Sequence, residues 1–193
     1  MLIPGLFGSA YGFRTLVPLL TAAGYRTIVI EPLGIGSSAR PEKANYSLTA
    51  QTDRIAAVLD SLHVRDALLI DSSGDSSWVT DAVVAGYTAG AARNLDATLK
   101  AYIAMANARE PIRLAPHLAE VPCPVRLVVG GARHDGDVGS GEVQLLERLL
   151  RTFALDSVPG AGHFIYEEQP GAVMAAVARL KASVTAPHAA GSE

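Results

Sequence analysis

Cysteine is almost absent from this chain, and its one cysteine, Cys123, excludes both an internal disulfide and a zinc site built from cysteines. This residue lies between Pro122 and Pro124, next to a predicted strand. We therefore expect Cys123 to be buried as a small apolar side chain. His134 has no second histidine or carboxylate cluster at metal-ligand spacing, so the sequence predicts no metal site.

Runs of basic residues are also absent, and the net charge is −3. The chain therefore lacks the positive surface that nucleic-acid binding requires. No apolar stretch approaches the ~18 residues of a membrane-spanning helix, so we expect no membrane partner. The first five residues carry no charged side chain, which argues against a signal peptide and favours a cytoplasmic protein. No pattern specifies an oligomeric state.

Hydrophobic residues, in contrast, make up 49% of the 193 positions, which excludes a disordered chain and predicts one domain with a sizeable core. Strands and helices alternate, as is typical of an α/β fold with a mostly parallel sheet and flanking helices. β-Branched and apolar runs predict five strands, at residues 1–3, 26–31, 66–70, 125–129 and 154–158. Helical spacing predicts helices at residues 13–23, 48–62 (with Ser47 as the N-cap), 142–150 and about 168–184.

The middle of the chain departs from this alternation. Residues 76–118 hold no convincing strand, and their best helices are 80–87 and 95–109. We interpret this block as a helical cap, inserted between two parts of one sheet within a single domain of residues 1–193. Four of its side chains could line a pocket or simply pack between helices: Trp78, Tyr87, Tyr102 and Met105.

Possible catalytic groups follow the predicted strands. In an open α/β sheet, ligands bind beyond the carboxyl ends of the strands. The segments found there are residues 4–5, 34–36, 71–74, 131–137 and the loop with His163. Glycines beside His163 allow backbone and substrate to approach closely, and Glu167 and Glu168 suit the first turn of the helix that follows.

These loops resemble those of the α/β-hydrolase family. The sequence Gly-Ala-Gly-His-Phe-Ile-Tyr-Glu-Glu-Gln-Pro, residues 160–170, closely resembles the loop that carries the catalytic histidine in that family. Residues 3–9 resemble its oxyanion loop, with Pro4 where histidine is usual. Residues 31–37 resemble its Asp-x-x-Gly-x-Gly-x-Ser turn, with Glu31 in the Asp position. The order of the loops also matches, which implies that His163 is the general base of a nucleophile–His–acid triad.

The nucleophile position departs from the family pattern. The family has Gly-x-Ser-x-Gly, whereas residues 71–75 read Asp-Ser-Ser-Gly-Asp, with Ser73 in the nucleophile position. Aspartate is costly in a positive-φ turn, and two carboxylates oppose formation of an alkoxide. Another interpretation is a polar turn, residues 72–77, that caps the next helix. Asp71 is an alternative nucleophile, as in family members that open epoxides or remove halogens.

The acid position and the chain length complete the comparison. Asp135 lies nearest the family's acid position, 163 − 135 = 28 residues before His163, and Asp137 is the alternative. Both aspartates could instead be solvated loop residues. The family's first two strands, and its strand–helix pair after the elbow, have no counterpart here. The chain thus resembles a member shortened at the N-terminus and around the nucleophile elbow.

The resemblance implies a hydrolase that acts on a small, largely apolar ester or related acyl compound and needs no cofactor. Ser73 would attack, His163 would take its proton, and Asp135 would orient the imidazole. Gly5 and the backbone N–H groups of Leu6 and Gly74 would bind the substrate and the oxyanion. The alternative is a catalytically silent, shortened hydrolase-like binding protein without a working elbow.

Overall fold

The computed structural model describes residues 1–72, 80–111, 113–132, 138–162 and 164–185. Strands in these residues are β1 (Leu2–Pro4), β2 (Ile70–Ser72), β3 (Val125–Gly130) and β4 (Phe153–Val158). The α-helices are α1 (Leu16–Ala22), α2 (Leu48–Ser61), α3 (Asp81–Ala92), α4 (Leu95–Ala106), α5 (Ser140–Leu149), α6 (Ile165–Glu168) and α7 (Pro170–Thr185). Two 3-10 helices span Ala10–Phe13 and Ala115–Glu120. None of the helices within these described ranges is long and apolar enough to cross a membrane.

The strand pairs are parallel, as the sequence predicts. β1 pairs with β2 from Leu2 opposite Ile70 to Pro4 opposite Ser72. β3 pairs with β4 over six residues, from Val125 opposite Phe153 onward. With helices between these strands and after the last one, the architecture is the predicted α/β fold.

Two predicted strands differ from the structure. The segment predicted at residues 26–31 forms a single parallel bridge, Val29 to Leu2, although Ile30 and Ile28 also exchange backbone hydrogen bonds with Leu2. The strand predicted at residues 66–70 instead begins at Ile70. Both differences have one physical cause. β1 is only three residues long, so the segments beside it form backbone pairs only along that short length, although their β-branched composition favours strands.

A single apolar core joins the two strand pairs. Leu2 of β1 and Val158 of β4 belong to one cluster of buried side chains. The cluster also contains Phe13, Leu16 and Leu20 from the start of the chain and Ile165, Tyr166, Val173 and Val177 from α6 and α7. Contact within one cluster holds both pairs of strands against the same helices.

The helix starts follow the expected capping chemistry. Ser47 caps α2, where its side chain accepts the N–H of Ala50 at 3.2 Å, as predicted. Glu110 binds the same helix end through the N–H groups of Leu48 and Thr49, and these bonds lower the pKa of Glu110. This tie spans about sixty residues of chain, and no local pattern signals it.

The helices of the middle segment differ in extent from the prediction. α3 continues five residues beyond the predicted end at residue 87, and α4 ends at Ala106 instead of residue 109. Gly86 and Gly90 lie inside α3 rather than ending it.

The prediction for Cys123 is wrong, because its side chain is exposed. The prolines on either side keep Cys123 in a connection ahead of β3 rather than within the strand.

Candidate active site

The predicted triad falls outside the described residues. Ser73, Asp135 and His163 lie in the ranges that the structure does not describe, as do Gly74 and Asp137. Gly5 and Leu6 are described. The geometry of the candidate site therefore comes from the residues that flank the triad positions.

Strand pairing sets the level at which the chain enters the segments that carry the predicted triad, within each of two separate strand pairs. Pro4 lies opposite Ser72, so Gly5 and Ser73 follow paired residues at the ends of β1 and β2. Gly130 lies opposite Val158, so the segments leading to Asp135 and His163 also leave their strands together. Because these strands are parallel, the loops emerge at the carboxyl edge, where α/β folds bind ligands.

Asp71 lies inside β2, opposite Ile3, so the chain at this residue is still strand. α3 has Thr80 as its N-cap, and the Thr80 hydroxyl accepts the N–H of Val83 at 3.4 Å. The N-cap of that helix is therefore not within residues 72–77. This removes the capping part of the alternative interpretation of the Ser73 segment.

The loops before Asp135 and His163 are joined through their backbones. Ala132 donates its N–H to the Ala161 carbonyl at 3.0 Å, and Gly131 donates to Val158 at 2.8 Å. A side chain at Gly130 would collide with the Gly162 carbonyl. Glycine is therefore required where the end of β3 meets the loop after β4.

Glu168 fixes the chain immediately before His163. Its carboxylate accepts the N–H of Gly162 at 2.8 Å. Gln169 adds a second tie, because its side-chain amide donates to the Pro159 carbonyl at 3.1 Å. The sequence predicts a carboxylate in this first helical turn, and the structure shows that one of the two, Glu168, anchors the histidine loop.

Glu167 takes a different role from Glu168. Its side chain is 1% exposed, and its Oε1 is paired with Nη1 of Arg14. The Tyr87 hydroxyl also donates to Oε1, at 3.1 Å. Burial raises the pKa of Glu167, although Arg14 and Tyr87 act in the opposite direction. The sequence analysis missed Arg14, which nothing in the local pattern marks.

Aromatic rings surround this ion pair. The Phe164 ring lies 5.9 Å from the Tyr87 ring and 5.7 Å from the Tyr166 ring, measured between centroids. The Arg14 guanidinium lies over Tyr11 at 4.2 Å from the ring centroid. Burial and the neighbouring Tyr166 and Glu167 raise the pKa of Tyr87, so its hydroxyl remains protonated. Of the side chains predicted to line a pocket or to pack, Tyr87 thus packs between segments.

The predicted oxyanion loop is a compact turn. Gly8 donates its N–H to the Gly5 carbonyl at 2.8 Å. Leu6 is exposed, and the ring of Phe7 packs edge-on against Tyr102 with centroids 5.0 Å apart. The loop therefore contacts α4 of the middle segment.

Glu31 joins the first and second loops. Its two oxygens accept the N–H groups of Ala10 and Ser37, each at 2.7 Å. Gly36, with a φ of +54°, leaves no room for a side chain against the Glu31 carboxylate. Glu31, which occupies the Asp position of the family's turn, therefore holds the first and second loops together through these hydrogen bonds.

A cavity of about 390 Å³ lies between α4 and the segment around Arg40 and Tyr46. Lys100 lines it and pairs with Asp96 at 2.8 Å and with Glu42 at 3.5 Å, which balances its charge. None of the described site residues lines this cavity. Over the described part of the chain, no group of three His, Cys, Asp or Glu residues is placed to hold a metal ion.

Comparison with known proteins identifies the architecture. A model of the alpha/beta hydrolase fold family matches residues 1–72. A search of curated proteins finds no match. Solved structures match over nearly the whole chain, at identities that are informative about fold alone.

Three of these structures illustrate the similarity. An E-2-(acetamidomethylene)succinate hydrolase is 19% identical, with a TM-score of 0.65 over 94% of this chain and 90% of its own. A haloalkane dehalogenase loop variant from Bradyrhizobium elkanii is 16% identical, with a TM-score of 0.66 over 96% and 90%. An enol-lactonase from Burkholderia xenovorans LB400 is 15% identical, with a TM-score of 0.66 over 94% and 90%.

Proposed function

The chain has the fold of the α/β-hydrolase superfamily, and from that premise we propose that it is a serine hydrolase of small, largely apolar esters or related acyl compounds. The observation that carries the proposal is the register at the strand ends, where Gly5 and Ser73 follow one set of paired residues and the segments leading to Asp135 and His163 follow another. An enol-lactonase and a succinate-derivative hydrolase share the fold, and a lactone is a cyclic ester.

In the proposed mechanism, Ser73 attacks the acyl carbon, and His163 takes the hydroxyl proton and later returns it to the leaving group. Asp135 holds the imidazole in the required tautomer. Backbone N–H groups of Leu6 and Gly74 bind the oxyanion, with Gly5 beside them. The two loop pairs that support this arrangement are Pro4 opposite Ser72 and Ala132 bonded to Ala161.

We further propose that residues 76–118 form a helical cap within a single domain. Its described helices contact both early loops: α3 meets the second loop at Gly36, and Tyr102 of α4 meets Phe7 of the first. A small-molecule substrate, with no cofactor and no nucleic-acid or membrane partner, is part of the same proposal. The cytoplasmic location expected from the sequence belongs to it as well.

A second candidate function is a catalytically silent binding protein. The aspartates at residues 71 and 75, in place of the elbow glycines, favour this candidate because they oppose ionisation of Ser73. The bracing of the chain on both sides of His163 favours the hydrolase. A catalytic assay separates the two.

The test is hydrolysis of p-nitrophenyl acetate and butyrate by the wild type and by Ser73→Ala. We expect measurable turnover by the wild type and a loss of at least about 10²-fold in Ser73→Ala, because general-base catalysis needs the nucleophile that it activates. Ser61→Ala, which alters the last residue of α2, is the matched control and should keep full activity. Equal rates for Ser73→Ala and the wild type would favour the silent binding protein.

A further inference from the structure

The pair formed by Arg14 and Glu167 has no part in the proposed triad, yet Glu167 is the most deeply buried carboxylate among the described ion pairs. Its side chain is 1% exposed, whereas the carboxylates of the other described pairs are 19% exposed or more. A buried carboxylate needs partners that replace its hydration. Glu167 has two of them, Arg14 and the Tyr87 hydroxyl.

These three residues come from three separate segments, and each segment follows a group of the proposed site in the chain. Arg14 follows the 3-10 helix after the loop of Gly5 and Leu6. Tyr87 belongs to α3, the first helix after the Ser73 segment. Glu167 belongs to α6, four residues after His163. The Glu167 carboxylate is therefore the point where these three segments meet.

The Tyr87 hydroxyl makes two side-chain contacts. It donates to Glu167 at 3.1 Å and lies 3.2 Å from the hydroxyl of Tyr166. The Tyr87 ring also contacts Phe164, the residue that follows His163 in the chain. A movement of Tyr87 would thus reach both the carboxylate and the ring beside His163.

We propose that Arg14, Tyr87 and Glu167 form a positioning cluster that holds α3 and the chain next to His163 in one fixed arrangement. Its role in turnover rests on the proposed hydrolase function, whereas the coupling between the two segments is a property of the fold. Tyr87 is the positioning residue that tests it best. It acts through Glu167 and Phe164 and has no assigned contact with substrate.

Tyr87→Phe removes one hydroxyl and keeps the ring in contact with Phe164. Glu167 retains Arg14 in this variant, so the buried charge remains paired and the protein should fold. The matched control is Tyr25→Phe, the same chemical change at a partly buried ring that packs against the core and lies against Lys181. Glu167→Gln is a second variant, since it keeps the shape of the side chain and removes its charge.

The first measurement is steady-state hydrolysis of p-nitrophenyl butyrate. We expect Tyr87→Phe and Glu167→Gln to lower kcat about tenfold or more with KM nearly unchanged, because misplacement of reacting groups affects turnover more than binding. Tyr25→Phe should match the wild type. A role limited to stability would lower the melting temperature and leave kcat unchanged, and that result would overturn the proposal for turnover.

The second measurement needs no activity and is amide hydrogen exchange across Asp81–Ala92 and Ile165–Glu168. We expect both segments to exchange faster together in Tyr87→Phe and not in Tyr25→Phe. Unchanged exchange, or faster exchange in α3 alone, would overturn the cluster. If the wild type does not hydrolyse esters, the hydrolase proposal fails, and the exchange result still decides whether the cluster couples the two segments.

Discussion

At the scale of single residues, the two adjacent carboxylates of α6, Glu167 and Glu168, bind different parts of the chain and so have different structural roles. Glu168 faces back along its own chain and binds the N–H of Gly162. Glu167 faces the interior and pairs with Arg14, 153 residues away in sequence. The sequence predicts both as helix-start residues. It does not distinguish them, because the long-range partner of Glu167 is set by tertiary packing.

Asp156 provides a prediction for stability that is independent of function. Its oxygens accept hydrogen bonds from Arg126 of β3 at 2.8 Å and from Arg179 of α7 at 2.9 Å. Burial acts to raise the pKa of Asp156, but the bonds from Arg179 and Arg126 outweigh it and hold that pKa below its usual range. We expect Asp156→Asn to lower the free energy of unfolding by about 1–3 kcal/mol near pH 7.

The sign of the pH dependence follows from the lowered pKa. The stabilisation from ionised Asp156 is complete above the unfolded-state pKa of about 3.9 and is lost as the pH falls through the lower folded-state value. The difference between the wild type and Asp156→Asn, measured by urea unfolding, should therefore shrink in acid. Asp53→Asn, at an exposed carboxylate of α2, is the control and should change stability by less than ~0.5 kcal/mol. A difference that is constant with pH would contradict the ionic role.

At the scale of elements, α3 depends on two glycines one helical turn apart. Gly86 faces the Tyr11 ring, and Gly90 faces the Gly36 carbonyl so closely that a Cβ would collide with it. The sequence predicts this helix only as far as residue 87, between the two glycines, whereas α3 continues to Ala92. In the structure they are the sites where the helix approaches the loops.

Gly90→Ala tests that close approach. The added methyl group meets backbone rather than a movable side chain, so we expect a loss of about 1–3 kcal/mol in the free energy of unfolding. Gly141→Ala, in α5 with open space around the new methyl, should be neutral or stabilising by up to about 1 kcal/mol. Urea midpoints of the two variants give the comparison. Equal midpoints would mean that α3 does not pack against Gly36 as described.

Elements with strong local signals were predicted from the sequence, and those that depend on a partner were not. Ser47 caps α2 as predicted, because the cap and the helix lie within four residues of each other. The β-branched run at residues 26–31 gives only the bridge at Val29, because a ladder needs a partner of equal length. Glu110, which binds the start of α2 from far along the chain, has no local signal at all.

At the scale of the whole molecule, two parallel strand pairs share one core, and in each pair the two loops follow strands that end at the same level. The order of those loops and the architecture were predicted from the sequence, and the α/β-hydrolase fold is confirmed by the comparisons. Arg14 was not predicted, and Tyr87 was predicted only as a residue that lines a pocket or packs, because their contacts join segments that are distant in sequence. The predicted roles of Ser73, Asp135 and His163 remain predictions.

The central claim is that Ser73 is an activated nucleophile, and covalent labelling tests it most directly. A fluorophosphonate probe reacts with a serine that a neighbouring base activates, and mass spectrometry of the digested protein locates the adduct. We predict one adduct per chain, on the peptide that contains Ser73, and its loss in both Ser73→Ala and His163→Ala. An unlabelled wild type, or a label on a different serine, would contradict the assignment of Ser73 as the nucleophile.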